Sequence, residues 1–227
     1  MADLAATTRR IWRLCAMMAG LVIALTVAFA MVPDINACGG NGDAWPTLQR
    51  AESAADVISR VPPDCQAQIM PALRASMWLD AIAYIPVYGA FLFLALLALR
   101  QSGRTPPFFI GVVMLVAGLA FDQWEGVSLL AIINDFPGRA DQFPDLIMAY
   151  NGKVFFLGAT SLVIGVQFLF RSGWMRFVGV LMTAGALASM TVRSFGHQLP
   201  YLGLVLCWTS LAITATIIAF RRTDQQG

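Results

Sequence analysis

Two carboxylates three residues apart, Asp122 and Glu125, interrupt the apolar run FFIGVVMLVAGLAFDQWEGVSLLAII from Phe108 to Ile133. A carboxylate in hydrocarbon costs several kcal/mol, so it demands a partner or a water-filled cavity. The i, i+3 spacing puts both on one face of a helix. Counted back from Ile133 at helical rise, Glu125 lies roughly 12 Å and Asp122 roughly 16 Å inside the end of the run, too deep for such short side chains to reach the interface. Two adjacent acids in a low dielectric push their proton affinities apart, as a general acid and a general base require. His197 or Tyr84 would then shuttle the proton. As a variant, Asp80, Asp122 and Glu125 together offer hard oxygen ligands to a divalent metal.

Neighbouring segments carry matching polar stripes. Asp80, Tyr84 and Tyr88 fall at i, i+4 and i+8; Lys153, Thr160 and Gln167 fall seven residues apart; Ser189, Arg193 and His197 repeat the four-residue spacing. Asp122, Glu125 and His197 are therefore the candidate catalytic groups. Asp80, Tyr84, Tyr88, Lys153 and Arg193 are the candidate ligand-binding groups, with Lys153 and Arg193 meeting an anion and the tyrosines lining the walls. A plainer account competes with this one. Lys153 and Arg193 would pair with Asp122, Glu125 or Asp80 and lock the helices, or snorkel to the interface, and the tyrosines would be interfacial aromatics. Pro86 adds a kink beside the cluster and frees a carbonyl near Ile82.

The elements that position these groups are membrane spans. Of 227 residues 58% are hydrophobic and 12% charged, about half the charged fraction of a soluble domain. The fold class is all-α: a single integral membrane domain over residues 1–227, a polytopic bundle of six transmembrane helices at 11–32, 74–99, 107–133, 150–170, 177–196 and 201–220. An external loop at 33–73 holds a short amphipathic helix at 47–60. Asp64 is placed to cap a second short helix at 65–70, and Pro71 to open the next span. The polar residues 134–149 form the other long connection. Gly111, Gly118, Gly179 and Gly185 suit close helix packing.

Arginines set the orientation. Arg9, Arg10, Arg13, Arg100, Arg104, Arg171, Arg176, Arg221 and Arg222 occupy alternate connections, and acids such as Asp34, Asp43, Asp135 and Asp141 occupy the others. The positive-inside rule then places both termini in the cytoplasm. Basic residues before an apolar core, with Ala28-Phe29-Ala30 beyond it, also fit a cleaved signal peptide. The run Ile11–Val32 exceeds the ~7–15 residues of a signal core, so a retained helix is expected. One Lys against fourteen Arg hints at GC-rich coding and a bacterial inner membrane. Cys38 and Cys65 share the external loop, where oxidation is permitted, and a disulfide between them would be worth roughly 3–4 kcal/mol in the chain-entropy model. Cys15 and Cys207 read as inert packing residues.

The same counts exclude several functions. A single His rules out a self-contained multi-His zinc site or bis-His haem site. No Cys-x-x-Cys, nucleophile elbow or phosphate-binding glycine motif is present. A net charge of +2 gives no case for nucleic acid. No cofactor follows. The expectation is a multi-pass protein, more a binder than an enzyme, whose outward-facing polar cavity binds a lipid head group, a small solute or a partner membrane subunit. The alternative is a membrane-embedded enzyme using Asp122 and Glu125 on a lipid-like substrate. Proton-coupled transport is disfavoured, because no polar path reaches the cytoplasmic side and no inverted repeat is visible.

Overall fold

Every regular element is helical in the computed structural model, which describes residues 2–32, 48–100, 105–191 and 198–220. In chain order these are α1 (Ala2–Ala30), α2 (Ala54–Arg60), a 3-10 turn (Pro63–Cys65), α3 (Gln66–Leu79), a π turn (Asp80–Tyr84), α4 (Ile85–Arg100), α5 (Thr105–Asn134), α6 (Phe143–Leu169), α7 (Trp174–Met190) and α8 (Gln198–Phe220). Five helical stretches are long and apolar enough to cross a membrane: Ala6–Ala30, Pro63–Arg100, Pro106–Asn134, Phe143–Leu169 and Leu199–Phe220. This is the mark of an integral membrane protein. α7 has 17 residues, roughly 26 Å at helical rise, slightly short of a ~30 Å hydrocarbon core.

Several boundaries differ from the sequence expectation, each for a local reason. The helix expected at 47–60 begins only at Ala54. The Asp56 carboxylate accepts the Glu52 N–H at 2.9 Å and the Ser53 hydroxyl at 3.0 Å, while Ser53 Oγ accepts the Asp56 N–H at 3.3 Å. This reciprocal cap fixes the start. The span expected from 74 begins eight residues earlier, at Gln66, and contains Pro71 rather than opening on it. The span expected from 150 begins at Phe143, because Phe143, Leu146, Ala149 and Tyr150 are buried and carry the helical face into what read as a polar loop. α7 ends at Met190, short of 196, with the Thr191 hydroxyl turned onto the Ala188 carbonyl at 2.7 Å.

The chain divides into two compact units. The first comprises residues 1–22, 87–118 and 154–227 and is held by close apolar packing. A Cβ at Gly185 would lie 2.7 Å from the Gly203 carbonyl oxygen, so α7 and α8 meet where neither has a side chain. Gly111, Gly118 and Gly179 likewise leave no room for a Cβ beside Leu96, Leu157 and the Leu169 backbone. Cys15 and Cys207 are free, buried thiols that donate to the Phe91 and Met182 carbonyls, as packing residues would. Tyr88 stacks against Trp208, with ring centroids 5.0 Å apart.

The second unit comprises residues 23–86 and 119–153. Its apolar core joins Val57 and Val61 of the α2 region to Ile69, Leu73 and Met77 of α3, Leu129 and Ile132 of α5, and Leu146 of α6. Asp135–Gly138 closes the turn between α5 and α6 with a 3.0 Å backbone hydrogen bond. Gly138 has φ 96°, which a side chain would strain. Every acid and base expected to act within the membrane, apart from Arg193 and His197, belongs to this unit.

Candidate functional site

The α5 face carrying Asp122 and Glu125 meets Lys153 of α6. The Lys153 ammonium lies 3.0 Å from Asp122 Oδ1 and 2.5 Å from Glu125 Oε2. Both acids are buried, with Glu125 only 1% exposed. One cation therefore bridges two carboxylates, which is how a buried charge escapes its desolvation penalty. Glu125 Oε1 is buried with no hydrogen-bond partner among the described residues. Asp80 lies within electrostatic reach of both Asp122 and Lys153, but its carboxylate makes no hydrogen bond or salt bridge among the described residues. Among the described residues, Asp80, Asp122 and Glu125 form no group placed to hold a metal ion. The space between Asp122 and Glu125 is taken by an ammonium.

Two residues that the sequence reading passed over complete the surroundings. Arg50 donates from Nε to the Tyr150 hydroxyl at 3.1 Å, and its guanidinium lies 5.6 Å from that ring. Lys153 Nζ is 5.7 Å from the centroid of the same ring. Tyr150, 8% exposed, thus contacts two cations, both within cation–π range. Their sequence separation of 100 residues left no local signal.

The π turn explains a further contact. In this register the N–H of residue i+5 bonds to the carbonyl of residue i, as the Ile85 N–H does to Asp80. The next N–H in line belongs to residue 86, a proline, which has none. The orphaned carbonyl is therefore that of Ala81, one residue before the position expected from an α-helical count. The Gln123 side chain donates to it at 3.0 Å.

The same turn interrupts the α-helical register on which the Asp80–Tyr84–Tyr88 spacing rests. Tyr84 packs edge-on against Phe29 and receives the Thr26 hydroxyl at 3.5 Å, while Tyr88 belongs to the first unit. Thr160, Gln167 and Ser189 bond to the carbonyls of their own helices. Arg193, His197 and Cys38 lie outside the described residues.

The open space lies elsewhere in the second unit. A cavity of about 710 Å³ is walled by Gln66, Arg74, Asn134, Asp135 and Arg139 and floored by Ala67, Met70, Ile133 and Phe136. None of the candidate catalytic or ligand-binding residues lines it. Arg139 is held in place: Nη1 donates to Asp135 at 3.1 Å, Nε to Asp141 at 3.2 Å and Nη2 to Asp141 at 3.4 Å. These contacts hold the Asp141 carboxyl below its usual range and raise the guanidinium further. Arg74 is exposed and makes no ion pair among the described residues. No family model matches this chain, and neither a curated protein nor a solved structure matches it.

Proposed function

We propose that this is a six-span bacterial inner-membrane protein with cytoplasmic termini that binds a lipid head group or small solute, or docks a partner subunit, at an outward-facing polar cavity. The observation that carries this reading is the cavity beside Arg74 and Arg139. Its volume of about 710 Å³ falls within the range of small-molecule sites, and it combines cations, amides and an apolar floor. The Lys153 cluster is then an internal charge lock. The Cys38–Cys65 bridge belongs to the same proposal; the free cysteines among the described residues are Cys15 and Cys207.

A second reading, an enzyme acting through Asp122 and Glu125, is favoured by the orphaned Glu125 Oε1. Native mass spectrometry of the gently extracted protein separates the two. Wild type should carry a bound species that survives Asp122→Asn/Glu125→Gln and disappears in Ala67→Trp, which fills the cavity from an exposed helix face. The reverse pattern would move the site to the carboxylates. A reporter fused after Arg222 that scores as external would overturn the topology.

A further inference from the structure

We infer that the cavity takes a phosphate anion, presented by a membrane lipid. The inference rests on the cavity reading above and supplies its ligand class. Charge comes first. Asp135, the acid that lines the cavity, is spent on Arg139, as is Asp141 beyond it, so neither is free for a cationic ligand. Among the described residues Arg74 pairs with no carboxylate, and its charge is uncompensated in the lining. Donor capacity points the same way. A guanidinium has five N–H donors; Arg139 uses three on the aspartates, which leaves two. Together with Arg74 and the amides of Gln66 and Asn134, the walls offer donors from three helical or loop segments. A tetrahedral oxyanion accepts from several directions, and arginine pairs with it bidentately.

Depth selects the source. Arg74 and Arg100 belong to one continuous helical stretch and are separated along it by roughly 39 Å. A bilayer measures ~30 Å across its hydrocarbon and ~40–45 Å with its head groups. With Arg100 at one interface, Arg74 stands at head-group level of the other. The floor sets where the rest of the ligand goes. Beneath Met70, Ile133 and Phe136 the core holds a void of only about 10 Å³, about the size of one water probe. An acyl chain cannot enter there and must leave through the mouth. Free phosphate or a soluble phosphate ester would satisfy the same walls.

The test uses the delipidated full-length protein in maltoside detergent, with phosphatidylglycerol retention read by native mass spectrometry and inorganic phosphate binding by calorimetry. Phosphatidylglycerol should bind, weaken by about tenfold or more in Arg74→Gln, and recover in part in Arg74→Lys. Inorganic phosphate should compete only weakly. Binding of inorganic phosphate alone, lost in Arg74→Gln, would overturn the lipid source. Equal lipid binding by wild type and Arg74→Gln would overturn the anion class. Retention of choline or a neutral glycoside, abolished by Ala67→Trp, would overturn it too but leave the cavity reading standing. Wild type that retains none of these probes would overturn both. Because Arg74 is exposed and has no ion-pair partner among the described residues, its variants should melt as wild type does, and that melt is measured alongside.

Discussion

The Lys153 cluster and the Arg74 cavity lie in the same unit and use charge in opposite ways. In the cluster an ammonium meets two buried carboxylates at 3.0 Å and 2.5 Å. No described residue of the cluster lines the 710 Å³ cavity. At the cavity the lining acid, Asp135, is consumed by Arg139 together with Asp141 beyond it, and Arg74 keeps its charge and its exposure. Ionisable residues within a membrane protein are a prompt to look for function. What separates a lock from a binding site is unspent donors next to empty space. The cluster holds an unspent acceptor, Glu125 Oε1; the cavity holds unspent donors and the space.

The largest expected effect separates the two by stability. Lys153→Met removes the one ammonium between Asp122 and Glu125. Breaking a buried pair from one side costs about 3–5 kcal/mol, so the variant should show a large loss of folded protein and a lower Tm in detergent. Adding Asp122→Asn and Glu125→Gln should recover most of that loss, because neutral amides no longer need the cation. Arg74→Gln should leave Tm near wild type. A Lys153→Met protein that melts normally and instead sheds a bound ligand would reverse the roles of the two regions.

Smaller, and confined to the cluster side, is the Gln123 contact to the Ala81 carbonyl. Gln123→Leu should cost about 1 kcal/mol, the usual net worth of one hydrogen bond. Pro86→Ala gives residue 86 an N–H able to reach Ala81 in the i→i+5 register. On that background Gln123→Leu should cost less, a coupling that a double-mutant cycle reads directly. Additive costs would mean that Gln123 is not substituting for the missing proline donor.

The sequence made the spans legible because twenty or so apolar residues have few other uses, and the spacing of Asp122 and Glu125 was enough to expect a shared face and a basic partner. The cavity was not legible. Its walls come from Gln66 and Arg74 on α3, Asn134 at the end of α5 and Arg139 in the following turn, none of which shares a motif. Arg50, Arg60 and Arg139 fall in connections that the sequence reads as acidic, and Arg74 opens a span, so none stands out beside the cytoplasmic arginines. The Asp80–Tyr84–Tyr88 spacing assumes α-helical register across a segment that is a π turn. Propensity along the chain cannot show that Gln123, from another helix, is there to satisfy the displaced carbonyl.

The smallest expected effect is on the cavity side, through α2. Asp56 is held below its ordinary 3.8 first by the Glu52 backbone N–H and then by the Ser53 hydroxyl. A carboxyl that binds its proton more weakly when folded adds stability above pH 3.8 and loses it as pH falls through the lower, folded value. Asp56 is solvent-screened, so the contribution is a few tenths of a kcal/mol, about 1 °C in Tm for a chain of this size. Asp56→Asn should remove that pH dependence. Val57, the next residue, packs in the same core as Met70 and Ile133, which floor the cavity. Loosening the cap should therefore reach phosphatidylglycerol retention before it reaches the Lys153 pair. Wild-type and Asp56→Asn melts that stay parallel from pH 6 down to pH 3 would show that the cap does not support that floor.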